Sequence, residues 1–241
     1  VKIIIPHRKR SAEKMEITHL DSRKVLKDFG DNYSREKVKL FNDIHLHLMT
    51  DEKPSDFLNS LSNNHMFQDS PFSMLLRLKE TEQSPVHHPE GNVWNHTMLV
   101  VDEAAKVKKN SKNPEAFMWA AILHDIGKPD TTRKRKGKIT AYDHDRVGAV
   151  LTIKFLEYFP CVKDFVDNVV NLVRYHMHIL YVTKDLPFAK TKEMIDKVDI
   201  NEIALFGLCD RLGRLDVDKD KEDETIQLFL TKFKESKGML K

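Results

Sequence analysis

The chain is poor in cysteine and glycine and has no long apolar run. Cys161 and Cys209 are the only cysteines among 241 residues, so neither a disulfide framework nor a thiolate zinc site is indicated. No stretch approaches the roughly 18 uninterrupted apolar residues that a membrane helix needs. The leading "VKIIIPHRKR" is too short in apolar residues for a signal-peptide core, and basic residues follow at once; a cytoplasmic protein is expected. There is no P-loop and no Gly-x-Gly-x-x-Gly. "DVDKDKED" at 216–223 hints at a calcium loop. Counted from Asp216, however, the sixth position is Lys221 instead of glycine and the twelfth is Gln227 instead of glutamate, so the EF-hand reading is rejected.

Charged residues make up 32% and apolar ones 40%, which suits a globular chain able to bury a core without staples. The formal charge of +3 says little about partners, whereas twelve histidines supply many possible metal ligands and acid–base groups. Eight glycines and recurrent 3.6-residue periodicity point to an all-α fold. "KIII" at 2–5 reads as a possible short strand. A helix is expected from about Ser34 to Met49 with Ser34 as N-cap, and another after Pro71. The prolines and glycine of "TEQSPVHHPEGN" mark 81–92 as a loop and the one domain boundary. Residues 1–80 then form an N-terminal extension, and 81–241 a helical domain.

Val93, Thr97, Val100, Ala104 and Val107 make one helical stripe with His96 at its edge. Asn113-Pro114-Glu115 opens the next helix, which runs to Ile126; Gly127 is placed to cap it and Pro129 to stop it. Asp143 is placed to cap a helix that begins with His144. Val162 starts another that brings Val169, Val173 and His176 to one face. The last two helices fall near 200–215 and 219–236. Asp210 shares a stripe with Ile203, Phe206 and Gly207, where a carboxylate is costly unless paired or bound to metal. Each inward histidine alone is more simply a hydrogen-bonded core residue. Coincidence of His96, His124, Asp125, His144, His176 and Asp210 is the weaker account.

The order His96, His124-Asp125 and a distant Asp210 resembles the HD superfamily of metal-dependent phosphohydrolases. The segments "HHPEGNVWNHTMLVVDEA", "AAILHDIGKPDTTR", "KITAYDHDRVGA" and "LCDRLGRL" resemble in particular the HD domain of bacterial CCA-adding tRNA nucleotidyltransferases. That resemblance implies an all-helical bundle with the site between central helices. It also implies His96, His124, Asp125 and Asp210 as core metal ligands, with His144 and His176 as the pair found in members that hold two ions. The resemblance stops upstream: residues 1–80 contain one glycine and no Asp-x-Asp, so a nucleotidyltransferase head is not supported and a free-standing relative of the hydrolase portion is expected.

Imidazole and carboxylate ligands suit two divalent ions among Mn, Fe, Ni, Co and Zn, with Mg admissible. Asp125 is expected to bridge them, beside a metal-activated hydroxide that attacks phosphorus. Lys128 is placed to meet a phosphate oxygen, with a solvated lysine at a helix end as the somewhat weaker alternative. Arg133 and the basic "RKRKGK" loop fit a polyanionic substrate and a solvated turn equally well. Arg211 and Arg214 follow Asp210 on the same helix, and Arg214, four residues on, is expected to share the Asp210 face and reach a phosphate or pair an acid; both are candidate substrate-binding residues. His178 is expected to point away from His176. His87 and His88 read as a turn or as the edge of a substrate pocket. The expected function is a phosphatase or phosphodiesterase acting on a nucleotide or other phosphoester, with a 2′,3′-cyclic phosphodiester implied by the resemblance. The competing reading is a non-catalytic nucleotide- or RNA-binding module with a structural metal.

Overall fold

A computed structural model describes residues 33–69 and 71–238, so the expected strand at 2–5 lies outside the described residues. The fold is all-α with one small hairpin. Helix α1 (Arg35–Thr50) starts where expected, with the Ser34 hydroxyl accepting the Lys37 N–H. It is followed by α2 (Pro54–Leu61) and a short α3 (Ser73–Leu76). Helix α4 (Val93–Val107) carries His96, and Asn92 caps its start by accepting the Asn95 N–H.

Helix α5 (Pro114–Leu123) is the centre of the bundle. Every side chain from Ala116 to Leu123 is buried, which a helix apolar on all sides requires. It packs against α1, α4 and α8 (Lys163–Tyr175). On one flank Phe41 of α1 stacks on Trp119, with ring centroids 4.2 Å apart. Ser55 at the start of α2 donates through its backbone N–H and its hydroxyl to Asp102 of α4, at 3.0 and 2.7 Å. Residues 35–61 therefore share the core of the central helices.

The end of α5 differs from expectation. The regular helix stops at Leu123, and tight i→i+3 bonds continue it, from Ile126 N to Leu123 O and from Lys128 N to Asp125 O. Pro129 does not terminate anything: it sits in the first turn of a new short helix, α6 (Lys128–Thr131), where its missing N–H costs no bond. Gly127 has φ −82° and is no left-handed cap. A Cβ there would lie 2.2 Å from the His144 carbonyl oxygen and 2.6 Å from the Gly148 nitrogen. Its role is close approach to α7 (His144–Leu156).

The basic "RKRKGK" loop folds as a hairpin. Strands β1 (Thr132–Arg135) and β2 (Lys138–Ala141) pair antiparallel with Thr132 opposite Ala141. Lys136 and Gly137 both have positive φ, 48° and 74°, as a two-residue hairpin turn demands. Asp143 precedes α7 at φ 60° and makes no side-chain cap. The remaining helices are α9 (His178–Thr183), α10 (Thr191–Ile195), α11 (Ile200–Leu212) and α12 (Lys219–Gly238). Helix α11 packs on α4 and α12.

Candidate metal centre

The six residues singled out on helix faces meet at one buried point. His96 comes from the first turn of α4, His124 and Asp125 from the end of α5, His144 from the start of α7, His176 from the end of α8, and Asp210 from α11. Asp125 is 1% exposed and lies in the middle. Its Oδ2 is 3.2 Å from His124 Nε2 and 3.9 Å from His96 Nε2. Its Oδ1 is 3.5 Å from His144 Nε2 and 3.9 Å from His176 Nε2. Asp210 Oδ1 lies 3.0 Å from His96 Nε2, and the Nε2 atoms of His144 and His176 are 3.1 Å apart.

All four imidazoles are held by the other nitrogen. The Nδ1–H of His124 donates to Ala121 O at 3.0 Å, that of His144 to Ala141 O at 2.6 Å, and that of His176 to Val173 O at 2.7 Å. Each acceptor lies three residues back. For His124 and His176 it is one of the last carbonyls of a helix, which has no intrahelical partner. His96 Nδ1 faces Gly213 O at 3.2 Å and Glu90 Oε1 at 3.0 Å. With Nδ1 protonated, the Nε2 lone pairs of His124, His144 and His176 are free to bind an ion.

His124 Nε2 and Asp125 Oδ1 are fully buried and have no hydrogen-bond partner among the described residues. Leaving buried polar atoms orphaned costs on the order of 1–3 kcal/mol each, so a ligand is the natural account of them. His96, His124 and Asp125 form one set of atoms close enough to share a cation; Asp125, His144 and His176 form a second; His88, Glu90 and His96 form a third, behind the His96 ring and away from Asp125. The donors are imidazole and carboxylate, the chemistry that holds divalent transition metals.

Charge follows the same division. Burial would raise the Asp125 carboxyl, but the Lys128 ammonium and the His124 ring hold it well below the usual range. Burial likewise opposes, and the His96 hydrogen bond and the Arg214 cation outweigh, in keeping Asp210 ionised. Burial lowers His96, but Asp210 and Glu90 together raise it above its ordinary value. His144 is pushed down to about 4 by burial, against the pull of Asp125. His176 is also lowered by burial, with the His124 ring adding to it.

The expected phosphate contacts divide. Lys128 is buried; its Nζ lies 2.6 Å from Asp125 Oδ2 as an ion pair and donates to Gln83 Oε1 at 2.6 Å. The i→i+3 winding of the chain stacks Lys128 over Asp125. Arg214 does not sit on the Asp210 helix, because α11 ends at Leu212. Its Nε is nonetheless buried without a partner among the described residues, and its charge reaches Asp210. Arg211 turns to Glu222 of α12 and is not brought to the cluster. Arg133 is exposed on β1 and donates to Thr132 O. His178 is buried between the rings of Tyr175 and Tyr181 and belongs to none of the three ligand sets.

Sequence reasoning missed Gln83 and Glu90. Both lie in the 81–92 loop, where no periodicity marks an inward side chain. Glu90 is buried, and hydrogen bonds from His96, its own backbone and His88 outweigh burial to hold its carboxyl down to about 2. His88 donates to it at 2.8 Å and is pushed down to about 4, by burial first and then by Lys128. The only signal was that Glu90 belongs to the "HHPEG" segment itself, with Gln83 four residues before it.

Four inward histidines and two buried carboxylates between the helices of an all-α bundle make a site that could hold a divalent metal, in a helical domain of the HD type. A family model described as HD domain matches residues 93–213, and the chain belongs to that family, whose membership implies the superfamily of metal-dependent phosphohydrolases. Among curated proteins, it is 32% identical over 107 residues to the Multifunctional CCA protein of Actinobacillus pleuropneumoniae serotype 5b, covering 44% of this chain and 25% of that protein. The Multifunctional CCA protein of Methylococcus capsulatus is 28% identical over 163 residues, 66% of this chain and 32% of that protein. That of Aromatoleum aromaticum is 47% identical over 55 residues, 23% and 12% of the two chains. The chain spans about a quarter of the length of the first of these relatives. Among the described residues no helix is long and apolar enough to cross a membrane.

Proposed function

We propose that this chain hydrolyses a phosphoester of a nucleotide or nucleotide-like molecule, using two divalent ions held by His96, His124, Asp125, His144, His176 and Asp210. The observation that carries the reading is the set of Nε2 atoms gathered around one buried carboxylate, with Nδ1 in each ring already engaged. A structural cation would need only one such set. Asp125 has one oxygen facing each set and would help to hold both ions. When bound, such ions supply a water of lowered pKa, about 7, and neutralise charge at phosphorus. Lys128 is the cation placed to take a phosphate oxygen while keeping its hold on Asp125. Arg214 has an unpaired buried Nε beside the same cluster. Arg133 and Arg211 are offered as outer contacts for a longer polyanion, RNA included. In this reading residues 81–241 form the hydrolase and 1–80 an extension of it. A 2′,3′-cyclic phosphodiester is the first substrate to try, because the resemblance to the HD domain of CCA-adding enzymes implies it.

The test is metal analysis of the full chain followed by turnover of cyclic, mono- and diphosphoesters, with Asp125→Ala as control. Bound metal and hydrolysis, both lost in the control, are expected. Full metal content and activity in Asp125→Ala would overturn the assignment. Metal without turnover of any phosphoester would favour the RNA- or nucleotide-binding module.

A further inference from the structure

Glu90 is a buried carboxylate that the proposed chemistry leaves without a task. Its side chain is 2% exposed, and its Oε1 lies 3.0 Å from His96 Nδ1 and 2.8 Å from His88 Nδ1. The Leu215 N–H points at its Oε2 at 3.4 Å, and the Asn95 amide holds its backbone carbonyl at 2.9 Å. Glu90 thus ties the 81–92 loop to the helix that bears His96 and to the turn just beyond Asp210.

Burying a carboxylate is expensive unless charged partners repay the lost hydration. The other three imidazoles of the cluster show that a backbone carbonyl suffices to fix a ring. His96 has such a carbonyl too, at Gly213, and has Glu90 in addition. An anionic acceptor does what a carbonyl does less well: it fixes the tautomer and also makes the opposite nitrogen a stronger donor to an ion. We propose that Glu90 is a positioning residue of the metal centre, accepting the Nδ1 proton of His96 so that the Nε2 lone pair is presented to the ion on the Asp210 side. The inference rests on the reading of the cluster as a metal centre.

The consequence is local to one side. His144 and His176 have no carboxylate on Nδ1, so loss of Glu90 leaves their set intact. The experiment measures Mn²⁺ binding to the full chain by the resonance of the free ion, in wild type, Glu90→Gln and Glu90→Ala. Glu90→Ala is expected to weaken one binding event about 10- to 100-fold, the usual range for an outer-shell carboxylate. Glu90→Gln, whose amide oxygen still accepts, is expected to weaken it less, and the other event is expected to hold. Nitrogen NMR of the Zn²⁺-loaded wild type is expected to find His96 protonated at Nδ1 and metal-bound through Nε2. Wild-type affinity in both variants overturns the inference. So does equal weakening of both events together with a lowered melting temperature, or metal bound through Nδ1 of His96. If Glu90→Ala fails to fold, Glu90→Gln and the NMR measurement decide. A wild type without Mn²⁺ affinity sinks the metal reading itself, whereas wild-type affinity shared by the variants sinks only the part given to Glu90.

Discussion

On the Oδ2 side of Asp125 stand charged groups: Lys128 in contact, Asp210 on His96, Glu90 behind His96, and Arg214 beyond. On the Oδ1 side stand two imidazoles, His144 and His176, each held by a backbone carbonyl alone. A cation on the first side meets two carboxylates and competes with a His96 proton that Asp210 and Glu90 hold more firmly than usual, against the effect of burial. A cation on the second side meets two rings whose protonated form burial disfavours, and only a share of one carboxylate. The contrast separates affinity from readiness: the first side should bind more tightly, and the second should respond less to pH.

The largest expected effect comes from removing what the two sides share. Asp125→Ala should abolish both metal-binding events, lowering each affinity more than the ~100-fold seen for outer-shell losses. Asp210→Ala should abolish the first event and His176→Ala the second, counted by equilibrium dialysis. If each of these single variants lost both ions, the two-sided description would be wrong.

Glycines give the next test. Gly127 backs onto the His144 carbonyl, and a Cβ on Gly213 would lie 2.5 Å from Val100 Cγ2 and 2.8 Å from its backbone nitrogen. Alanine at either site must push backbone and should cost about 3 kcal/mol or more in chemical denaturation. Gly127→Ala should disturb the second side and Gly213→Ala, whose carbonyl faces His96, the first. Gly207→Ala should cost far less, under about 1.5 kcal/mol, although the nearest atom is only 1.9 Å away. That atom is the movable tip of Ile179, and its approach is what the glycine accommodates.

The pH response should separate the sides in the metal-free protein. His144 titrates at about 4 folded and near 6.5 unfolded, so the unfolded chain binds the extra proton between those values. Its stability contribution is complete above about 6.5 and is lost as pH falls towards 4. His96 has the opposite sign: its contribution is present below 6.5 and is lost as pH rises through its raised folded value. Thermal melts in chelator should therefore fall steeply from pH 6.5 to 4. His178, also pushed down to about 4 by burial, contributes to that fall from outside the cluster. His178→Leu should flatten the acid limb while leaving Mn²⁺ affinity unchanged. A limb equally steep in that variant would place the sensitivity within the cluster.

Much of this was readable in advance, for reasons that differ by residue. The helical phase of α4, α8 and α11 pointed His96, His176 and Asp210 inward because an apolar stripe has only one buried direction. The Asn113 cap and Pro114 marked the start of α5 because their backbone geometry suits little else. The end of α5 is not legible in the sequence: Gly127 and Pro129 are ordinary helix-ending residues, and only the carbonyl of His144 shows what the glycine is for. Arg214 was assigned to a helix that stops two residues earlier, at Leu212. Arg211, next to Asp210, goes to a glutamate on the following helix. Gln83 and Glu90 were invisible because loop side chains carry no periodic signal of burial.

The sequence by itself determined the helical bundle, the kinds of donor and the order in which they occur, because local propensity and apolar spacing act over a few residues. Tertiary packing alone decided that Nε2 and not Nδ1 of each ring faces Asp125, that the two oxygens of Asp125 serve different partners, and that Glu90 stands behind His96. Those outcomes depend on carbonyls at helix ends and on contacts such as that between His96 and Asp210, which are 114 residues apart in the chain and meet only when α4 and α11 pack together.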